Sequence, residues 1–212
     1  MKNKLSNISI LIVSILTSVV AYFYLPETIA SHWDYLGQPN GYSSKLFTLI
    51  LFPVMIVFIY ALLMIVPKLD PMKKNIDKFM DSFSNFVTVI LLFLVLVQYQ
   101  VLLWNLGVQI SFNISFPILL GLLFFFIGDL LEKSKRNWSV GIRTPWTLSS
   151  DYVWEKTHKL GGKLFKASLI LFLFALIIPG YSFILVVGYL LATVVYLFVY
   201  SYLVFKEEQN KK

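Results

Sequence analysis

This chain of 212 residues has no cysteine and few charged residues, and each shortage excludes a class of protein. Without cysteine there is no disulfide, no thiol nucleophile, no cysteine-ligated metal and no iron–sulfur cluster. Charged residues make up only 14% of the chain, whereas 58% of it is hydrophobic. A soluble domain of this length must show water a largely charged surface. The composition therefore predicts an integral membrane protein.

Sequence motifs of catalysis are also missing. The chain contains no H-E-x-x-H metal helix, no G-x-S-x-G nucleophile turn, no phosphate-binding loop and no dinucleotide fingerprint. The pair Gly128-Asp129 falls short of the G-x-G-D signature of intramembrane aspartyl proteases, because Phe126 occupies the first glycine position. We therefore predict a protein that is not an enzyme and that holds no cofactor or metal.

The hydrophobic residues are concentrated in long stretches. The hydrocarbon core of a bilayer is about 30 Å thick and takes about 20 helical residues to cross. Six stretches approach this length, at 8–25, 46–66, 86–103, 110–131, 164–178 and 181–205. The expected fold is an all-α integral membrane protein with six transmembrane helices, in a single membrane domain that comprises residues 1–212.

Positive charge indicates the orientation of these helices. If the N-terminus is cytoplasmic, every lysine and arginine except Lys45 falls on the cytoplasmic side. This is the distribution of the positive-inside rule, so both termini are predicted to be cytoplasmic, in the cell membrane. The net charge of +7 is then expected to face the anionic lipids of the inner leaflet rather than nucleic acid.

The first outer loop, 26–45, is rich in residues that form turns, so it is expected to be structured. It has three interpretations: a cap anchored at the interface by Trp33, a cap that binds a peptide, and a weak metal site. The metal site would use His32 with Asp34 and Glu27, but one imidazole with carboxylates is a poor ligand set. The outer candidates are Pro26, His32, Trp33, Gly37, Asn40 and Gly41.

Three polar side chains fall within or at the end of apolar helices: Gln98, Asn105 and Asp129. An unpartnered amide in hydrocarbon is costly, so Gln98 and Asn105, which share a helix face, either join helices or line a ligand cavity. An ionised Asp129 would cost about 2.5 to 3.5 kcal/mol at mid-membrane and less near the helix end, so it needs headgroup water or a partner. Its candidate partners are Lys133, Arg136 and Arg143.

The inner loop, 132–163, contains most of the remaining polar residues. The Thr144-Pro145 pair favours extended backbone, which ends any helix arriving from the membrane. Ser149 or Ser150 then supplies an N-cap for a short amphipathic helix. This helix is expected to lie in the headgroup layer before the fifth span and to end at Gly161-Gly162.

Two residues of this loop are not explained by such an architecture. Gly141 allows the backbone to approach another group closely. Arg143 has three interpretations: contact with lipid phosphate, a pair with Asp129, or binding of an acid on a partner. The inner candidates for binding are Gly141, Arg143, Thr144, Pro145, Trp146, Ser149, Ser150, Trp154 and His158.

Each of these two loops contains a pattern that resembles one found in a known family of membrane proteins. The inner loop reads GIRTPWTLSS at 141–150, followed by Val153-Trp154, Thr157-His158 and Gly161-Gly162. This pattern resembles the signature of the SdpI family, bacterial and archaeal membrane proteins named for immunity to the sporulation-delaying peptide toxin. The outer loop contains Leu25-Pro26, His32-Trp33, Gly37 and Pro39-Asn40-Gly41. It resembles a domain of unknown function that often precedes the signature in that family.

The resemblance implies a six-helix protein that gives its producer resistance to a membrane-active peptide toxin. In the family's namesake it also implies signal transduction, through a transcriptional repressor held at the membrane. The family pattern usually has Asn where this chain has Asp129, so a pair built on Asp129 would be particular to this protein. Two other functions stay open: transport or flipping of a small amphiphile, and an unrecognised membrane enzyme.

Overall fold

The computed structural model describes residues 2–211, with Ala175 described by its backbone alone. The chain is mostly helical, as predicted, and its helices are α1 (Lys4–Tyr22), α2 (Lys45–Leu69), α3 (Lys73–Asp77), α4 (Met80–Asn105), α5 (Phe112–Lys133), α6 (Pro145–Ser149), α7 (Asp151–Leu173) and α8 (Ser182–Asn210). Two strands, β1 (Thr28–Trp33) and β2 (Pro39–Ser44), lie between α1 and α2. Two 3-10 turns, Phe174–Leu176 and Pro179–Tyr181, join α7 to α8.

The predicted all-α class is wrong in one segment, because the outer loop folds as an antiparallel hairpin of β1 and β2. The Asp34 carboxylate closes its turn by accepting the N–H groups of Leu36 and Gln38, both at 2.9 Å. Gly37 has a φ of +77°, a conformation that favours glycine. The strands are short, and β2 consists of small and turn-forming residues, so apolar periodicity does not reveal them.

Five helical segments among residues 2–211 are long and apolar enough to cross a membrane: α1, α2, α4, α5 and the segment Pro179–Asn210, which contains α8. They correspond to five of the six predicted spans. The remaining predicted span, 164–178, falls in the second half of α7 and the turn after it, and α7 does not meet the criterion because its first half is rich in charged and polar residues. A membrane protein is thus confirmed, while six spans and cytoplasmic termini stay predictions.

The hairpin lies at one end of the helix bundle, which we call the hairpin end. Asn105, at the C-terminus of α4, bonds both backbone groups of Ala30: its Oδ1 accepts the N–H at 2.8 Å and its Nδ2 donates to the carbonyl at 2.9 Å. Asn113, near the start of α5, donates to the Tyr35 carbonyl at 3.1 Å. These amides fix the hairpin to the helices.

The opposite end of the bundle, which we call the loop end, gathers α3, the segment 134–150 and the C-terminus of α8. The Asn75 amide of α3 donates to the Arg136 carbonyl at 2.8 Å. The Ser150 hydroxyl donates to the Glu208 carboxylate of α8 at 2.6 Å. Both bonds tie the segment 134–150 to a neighbouring helix, at the end of the bundle opposite the hairpin.

Gln98 joins α4 to α1 at a buried position. Its Oε1 accepts from the Ser14 hydroxyl at 2.6 Å, and its Nε2 donates to the Ser18 hydroxyl at 2.8 Å and to the Ser14 carbonyl at 3.1 Å. The next residue, Tyr99, places its hydroxyl 3.0 Å from that of Thr17. The Gln98 amide therefore joins two helices rather than lining a ligand cavity, since its N–H₂ group and its oxygen are both bonded to α1.

Gly161-Gly162 does not end a helix, contrary to the prediction, because α7 runs unbroken from Asp151 to Leu173. The short interfacial helix expected before the fifth span is therefore the first half of α7. The glycines instead allow close packing: a β-carbon on Gly162 would lie 2.7 Å from the Gly128 carbonyl oxygen of α5, and one on Gly128 would lie 2.6 Å from the Gly162 carbonyl oxygen. Small residues at such crossings let helix backbones touch.

Candidate functional site

His158 is at the centre of a buried cluster at the loop end. Its ring is buried and stacks on Trp154 with 3.9 Å between the ring centroids. Its Nδ1 donates to the Trp154 carbonyl at 2.8 Å, and its Nε2 accepts the Ile142 N–H at 2.9 Å. Because a carbonyl only accepts and an N–H only donates, the two bonds require a neutral ring with its proton on Nδ1. Both ring nitrogens are therefore occupied.

Gly141 allows the loop to approach His158. Its φ of +119° favours glycine, and a β-carbon there would collide with His158 Nε2 and lie 3.2 Å from the Trp154 ring. The Trp154 Nε1–H donates to the Ser134 carbonyl at 3.2 Å. Two predicted binding candidates, Trp154 and His158, are thus buried under the loop rather than available at its surface.

The pKa of His158 gives stability a pH dependence with a definite sign. Burial lowers this pKa from 6.5 to about 4, opposed by a smaller effect of the bond to the Trp154 carbonyl. Because the folded pKa lies below the unfolded one, the contribution is complete above about pH 6.5 and declines as pH falls toward 4. We expect His158 alone to remove about 2 kcal/mol of unfolding free energy between about pH 7 and pH 5.

Thermal unfolding of the purified protein in detergent, followed against pH, measures this effect. His158→Gln keeps one donor and one acceptor but has no titrating ring, and it controls for carboxylates that titrate in the same range. The variant should lose stability less steeply on acidification than the wild-type protein. Parallel pH profiles would contradict the assignment.

The segment 144–149 packs on α8. Thr144 is the N-cap of α6, and its hydroxyl lies 3.0 Å from the Ser201 hydroxyl. The Trp146 ring packs on the rings of Phe198 and Tyr202, with 5.1 Å between centroids in each case. These contacts fix the middle of the predicted signature to the last helix.

The three remaining candidates of the segment 144–150 differ in exposure. Ser150, one of the two serines predicted to cap the next helix, is the N-cap of α7 and accepts the Val153 N–H at 3.3 Å. Pro145 and Ser149 are exposed. Ser149 donates to the Trp146 carbonyl at 2.9 Å and caps no helix.

Asp129 and Arg143 do not pair. Asp129 binds Lys133 at 2.8 Å, one turn along α5. Arg136, another candidate partner, binds the Asp151 carboxylate at 2.8 Å. Arg143 is exposed, and its guanidinium donates to a backbone carbonyl of the loop. Arg143 therefore forms no ion pair with a carboxylate within residues 2–211, and its charge lies at the loop-end surface.

Two residues that the sequence analysis does not single out hold the loop in place. Asp70, the C-cap of α2, is buried, and its carboxylate accepts the Met72 N–H at 2.7 Å, the Trp138 N–H at 2.9 Å and the Ser139 hydroxyl. Asn137 is also buried and bonds four backbone groups between residues 135 and 140. One available signal is an acid at a helix C-terminus, where the helix dipole disfavours it.

Asp70→Asn is expected to loosen the loop. The variant places an amide N–H₂ where the Trp138 N–H and the Ser139 hydroxyl now donate, so buried donors would face each other. We expect a loss of about 2 kcal/mol in unfolding free energy. Thermal unfolding and tryptic cleavage at Lys135 measure it. Asp77→Asn, an exposed acid on α3, is the matched control, and equal behaviour of the two variants would contradict this role.

At the hairpin end, several predicted outer candidates contact each other. His32 Nδ1 and Asn40 Oδ1 are 2.6 Å apart across the strands, and a β-carbon on Gly41 would lie 2.9 Å from the His32 Cβ. Pro26 is exposed just before β1. Among residues 2–211, no group of three His, Asp or Glu side chains is placed to hold a metal ion.

A cleft of about 520 Å³ lies between the hairpin and helices α4, α5 and α8. Its polar lining comes mainly from hairpin residues 31–35, which include His32 and Asp34. Trp33 also lines it and stacks on Phe112 of α5, with 3.9 Å between ring centroids. The apolar lining from the helices includes Val97, Val101, Phe112, Phe116, Val186 and Leu190. This volume is in the range of ligand sites, so the hairpin end has an amphipathic candidate site.

Two family models match segments of the chain, one at each end of the bundle. Residues 9–57, which comprise most of α1, the hairpin and the first half of α2, match a domain of unknown function, DUF1648. Residues 133–201, from the end of α5 through most of α8, match the SdpI/YfhL protein family. The Immunity protein SdpI of Bacillus subtilis (strain 168) is 29% identical over 164 residues, which cover 77% of this chain and 76% of that protein.

No solved structure matches the chain. The resemblance predicted from the two loop patterns is confirmed, since the matched segments contain the hairpin and the loop that carry those patterns. The chain therefore contains, in order, a segment that matches DUF1648 and a segment that matches the SdpI/YfhL protein family.

Proposed function

We propose that this protein is a polytopic membrane immunity protein that protects its producer from a membrane-active peptide toxin. The observation that carries the proposal is the similarity to Immunity protein SdpI over 77% of the chain. That stretch is long enough to involve both the hairpin end and the loop end. With both termini cytoplasmic, the hairpin end faces outward and meets the peptide.

The loop end is the part that we propose for signalling, by recruiting a transcriptional repressor at the cytoplasmic face. Arg143 supports this role because it is exposed and has no carboxylate partner among the described residues. Its planar guanidinium suits the bidentate binding of an acid on a partner. Trp138, whose backbone Asp70 holds, is exposed beside it.

The residues on which the transport and enzyme hypotheses were based are bonded within the chain. Transport relied on the amides of α4 and on Asp129, but Gln98 is bonded to α1, Asn105 to β1 and Asp129 to Lys133. An enzyme would use His158, whose two ring nitrogens are both bonded to backbone. No observation in the described residues favours either function over immunity.

Expression in a peptide-sensitive host tests the immunity proposal. Cells that produce the chain should survive higher doses of at least one pore-forming or depolarising peptide than cells with an empty vector. Arg143→Ala should keep this protection and lose only the response of a reporter gene, because Arg143 lies at the loop end and the peptide is met at the hairpin end. Survival at the same dose with and without the protein, for every peptide of the panel, would refute immunity.

Single-cysteine variants test the proposed topology, since the natural chain contains no cysteine. In intact cells an impermeant maleimide should label Gln38→Cys in the hairpin and Gly180→Cys between α7 and α8. Gln209→Cys, near the C-terminus, should react only after the cells are permeabilised. Labelling of Gly180→Cys only after permeabilisation would show that α7 does not cross the membrane and would leave five spans.

A further inference from the structure

Trp33 contains a buried hydrogen-bond donor without an acceptor, and it lies on the cleft at the hairpin end. Its indole is held by stacking on Phe112 and by an edge contact with Trp104, 5.8 Å between centroids. Its Nε1–H is buried and donates to no group among the described residues. Buried indole N–H groups normally have a partner, so this position is suited to an acceptor that a ligand supplies.

The charges at the hairpin end indicate the sign of that ligand. Lys45 is satisfied by the chain itself: it binds Glu27 at 3.0 Å, donates to the Leu25 carbonyl at 3.3 Å and lies 4.5 Å from the centre of the Tyr22 ring. Asp34 lines the cleft and makes no ion pair among the described residues, and its Oδ1 accepts the two N–H groups that close the hairpin turn. The cleft therefore has an uncompensated negative charge at its edge.

The helix side of the cleft is apolar. The side chains from α4, α5 and α8 are mostly valine, leucine and phenylalanine, with Asn113 and Ser182 as the polar exceptions, so a ligand that fills the space must bring apolar groups of its own. An apolar face combined with cationic groups is the pattern of amphipathic peptides that act on membranes. A lipid acyl chain would fill the apolar part but would use neither the Trp33 N–H nor the Asp34 carboxylate.

We propose that this cleft binds a segment of a cationic amphipathic peptide. Apolar side chains of the peptide pack against Phe112, Phe116 and Val186, a peptide carbonyl accepts the Trp33 Nε1–H, and a lysine, arginine or terminal amine meets Asp34. The proposal rests on the proposed function in taking this peptide as the one against which the protein protects. It adds the location of the site and the chemistry of the segment that is recognised.

Photocrosslinking of the full chain in liposomes of phosphatidylethanolamine and phosphatidylglycerol tests the site. The probe is a biotinylated, synthetic leucine–lysine amphipathic helix. Benzoylphenylalanine replaces Val187, which lines the cleft, or Val194, an exposed α8 residue that serves as the control. Labelling at position 187 should exceed that at position 194 several-fold and should fall when unlabelled peptide is added. Equal labelling at the two positions would overturn the proposal.

Conservative variants test the two polar contacts. Trp33→Phe keeps the stacking and removes the donor, and it should weaken peptide binding about fivefold. Asp34→Asn keeps the turn acceptor and removes the charge, and it should weaken binding about threefold. Trp138→Phe, an exposed tryptophan at the loop end, and Asp81→Asn, an exposed acid at the start of α4, are the matched controls and should bind as the wild type does.

A photoreactive lipid distinguishes the rival occupant. If it labels position 187 undiminished by peptide, the cleft is a lipid site and the proposal fails. If Trp33→Phe and Asp34→Asn cells survive peptide challenge as wild-type cells do, the cleft proposal fails while immunity stands. If the wild type crosslinks the probe at position 187 but protects against no peptide, the cleft proposal stands and the immunity proposal fails.

Discussion

Gly141→Ala is expected to lower the free energy of unfolding by about 4 kcal/mol, the sum of backbone strain and a steric collision. The residue has a φ of +119°, and the added β-carbon would collide with His158 Nε2. The ring cannot move away easily, because it is stacked on Trp154 and bonded at both nitrogens. The quantity of full-length protein in the membrane fraction and its unfolding midpoint in detergent measure the effect.

Gly107→Ala separates the two components of that effect. Gly107 also has a positive φ, +93°, but a β-carbon there would meet no atom within 4 Å. Its alanine variant should therefore show the strain without the collision and lose about half as much stability. If both variants lose the same amount, the contact between Gly141 and His158 has no part in holding the loop.

Gly128→Ala is expected to separate α5 from α7 and to lower the unfolding free energy by about 3 kcal/mol. The β-carbon would lie 2.6 Å from the Gly162 carbonyl oxygen, a backbone atom that cannot rotate away. The neighbouring ion pair between Lys166 and Glu132, 2.6 Å long, would be pulled apart with the helices. The midpoint of thermal unfolding in detergent reports the loss.

Gly188→Ala is the matched control for that substitution. Gly188 lies within α8, and a β-carbon there would meet nothing within 4 Å. Alanine is the better helix former, so this variant should be as stable as the wild type or more stable by up to about 1 kcal/mol. A loss at Gly188 equal to that at Gly128 would mean that helix crossing is not the cause.

The parts of the fold that follow from apolar length could be predicted from the sequence. The spans predicted at 46–66, 86–103 and 110–131 correspond to α2, α4 and α5, because some 20 apolar residues in a row have no other stable arrangement in a bilayer. The first half of α7 gives no such signal, since it is polar and is stabilised by packing against α5. Hydropathy therefore detects helices that face lipid better than helices that face protein.

The errors at the loop end share one physical cause, which is distance along the chain. A glycine pair ends a helix at a free surface but permits close contact when another backbone lies opposite, and Gly162 contacts a helix that ends some thirty residues earlier. Asp70 was missed for the same reason, since its partner Trp138 is 68 residues away. Local patterns identify Gly141 as a close approach but do not show that its neighbour is His158.

The junction between β2 and α2 has a mechanical consequence. Ser44 is both the last residue of β2 and the N-cap of α2, so no flexible linker separates the hairpin from the helix. The same helix ends at Asp70, which holds the loop, about 37 Å away at 1.5 Å per residue. A load that tilts the hairpin is therefore transmitted along one lever to the loop end of the bundle, and the lever is weakest at Pro53 and Pro67, where proline removes a helical N–H donor.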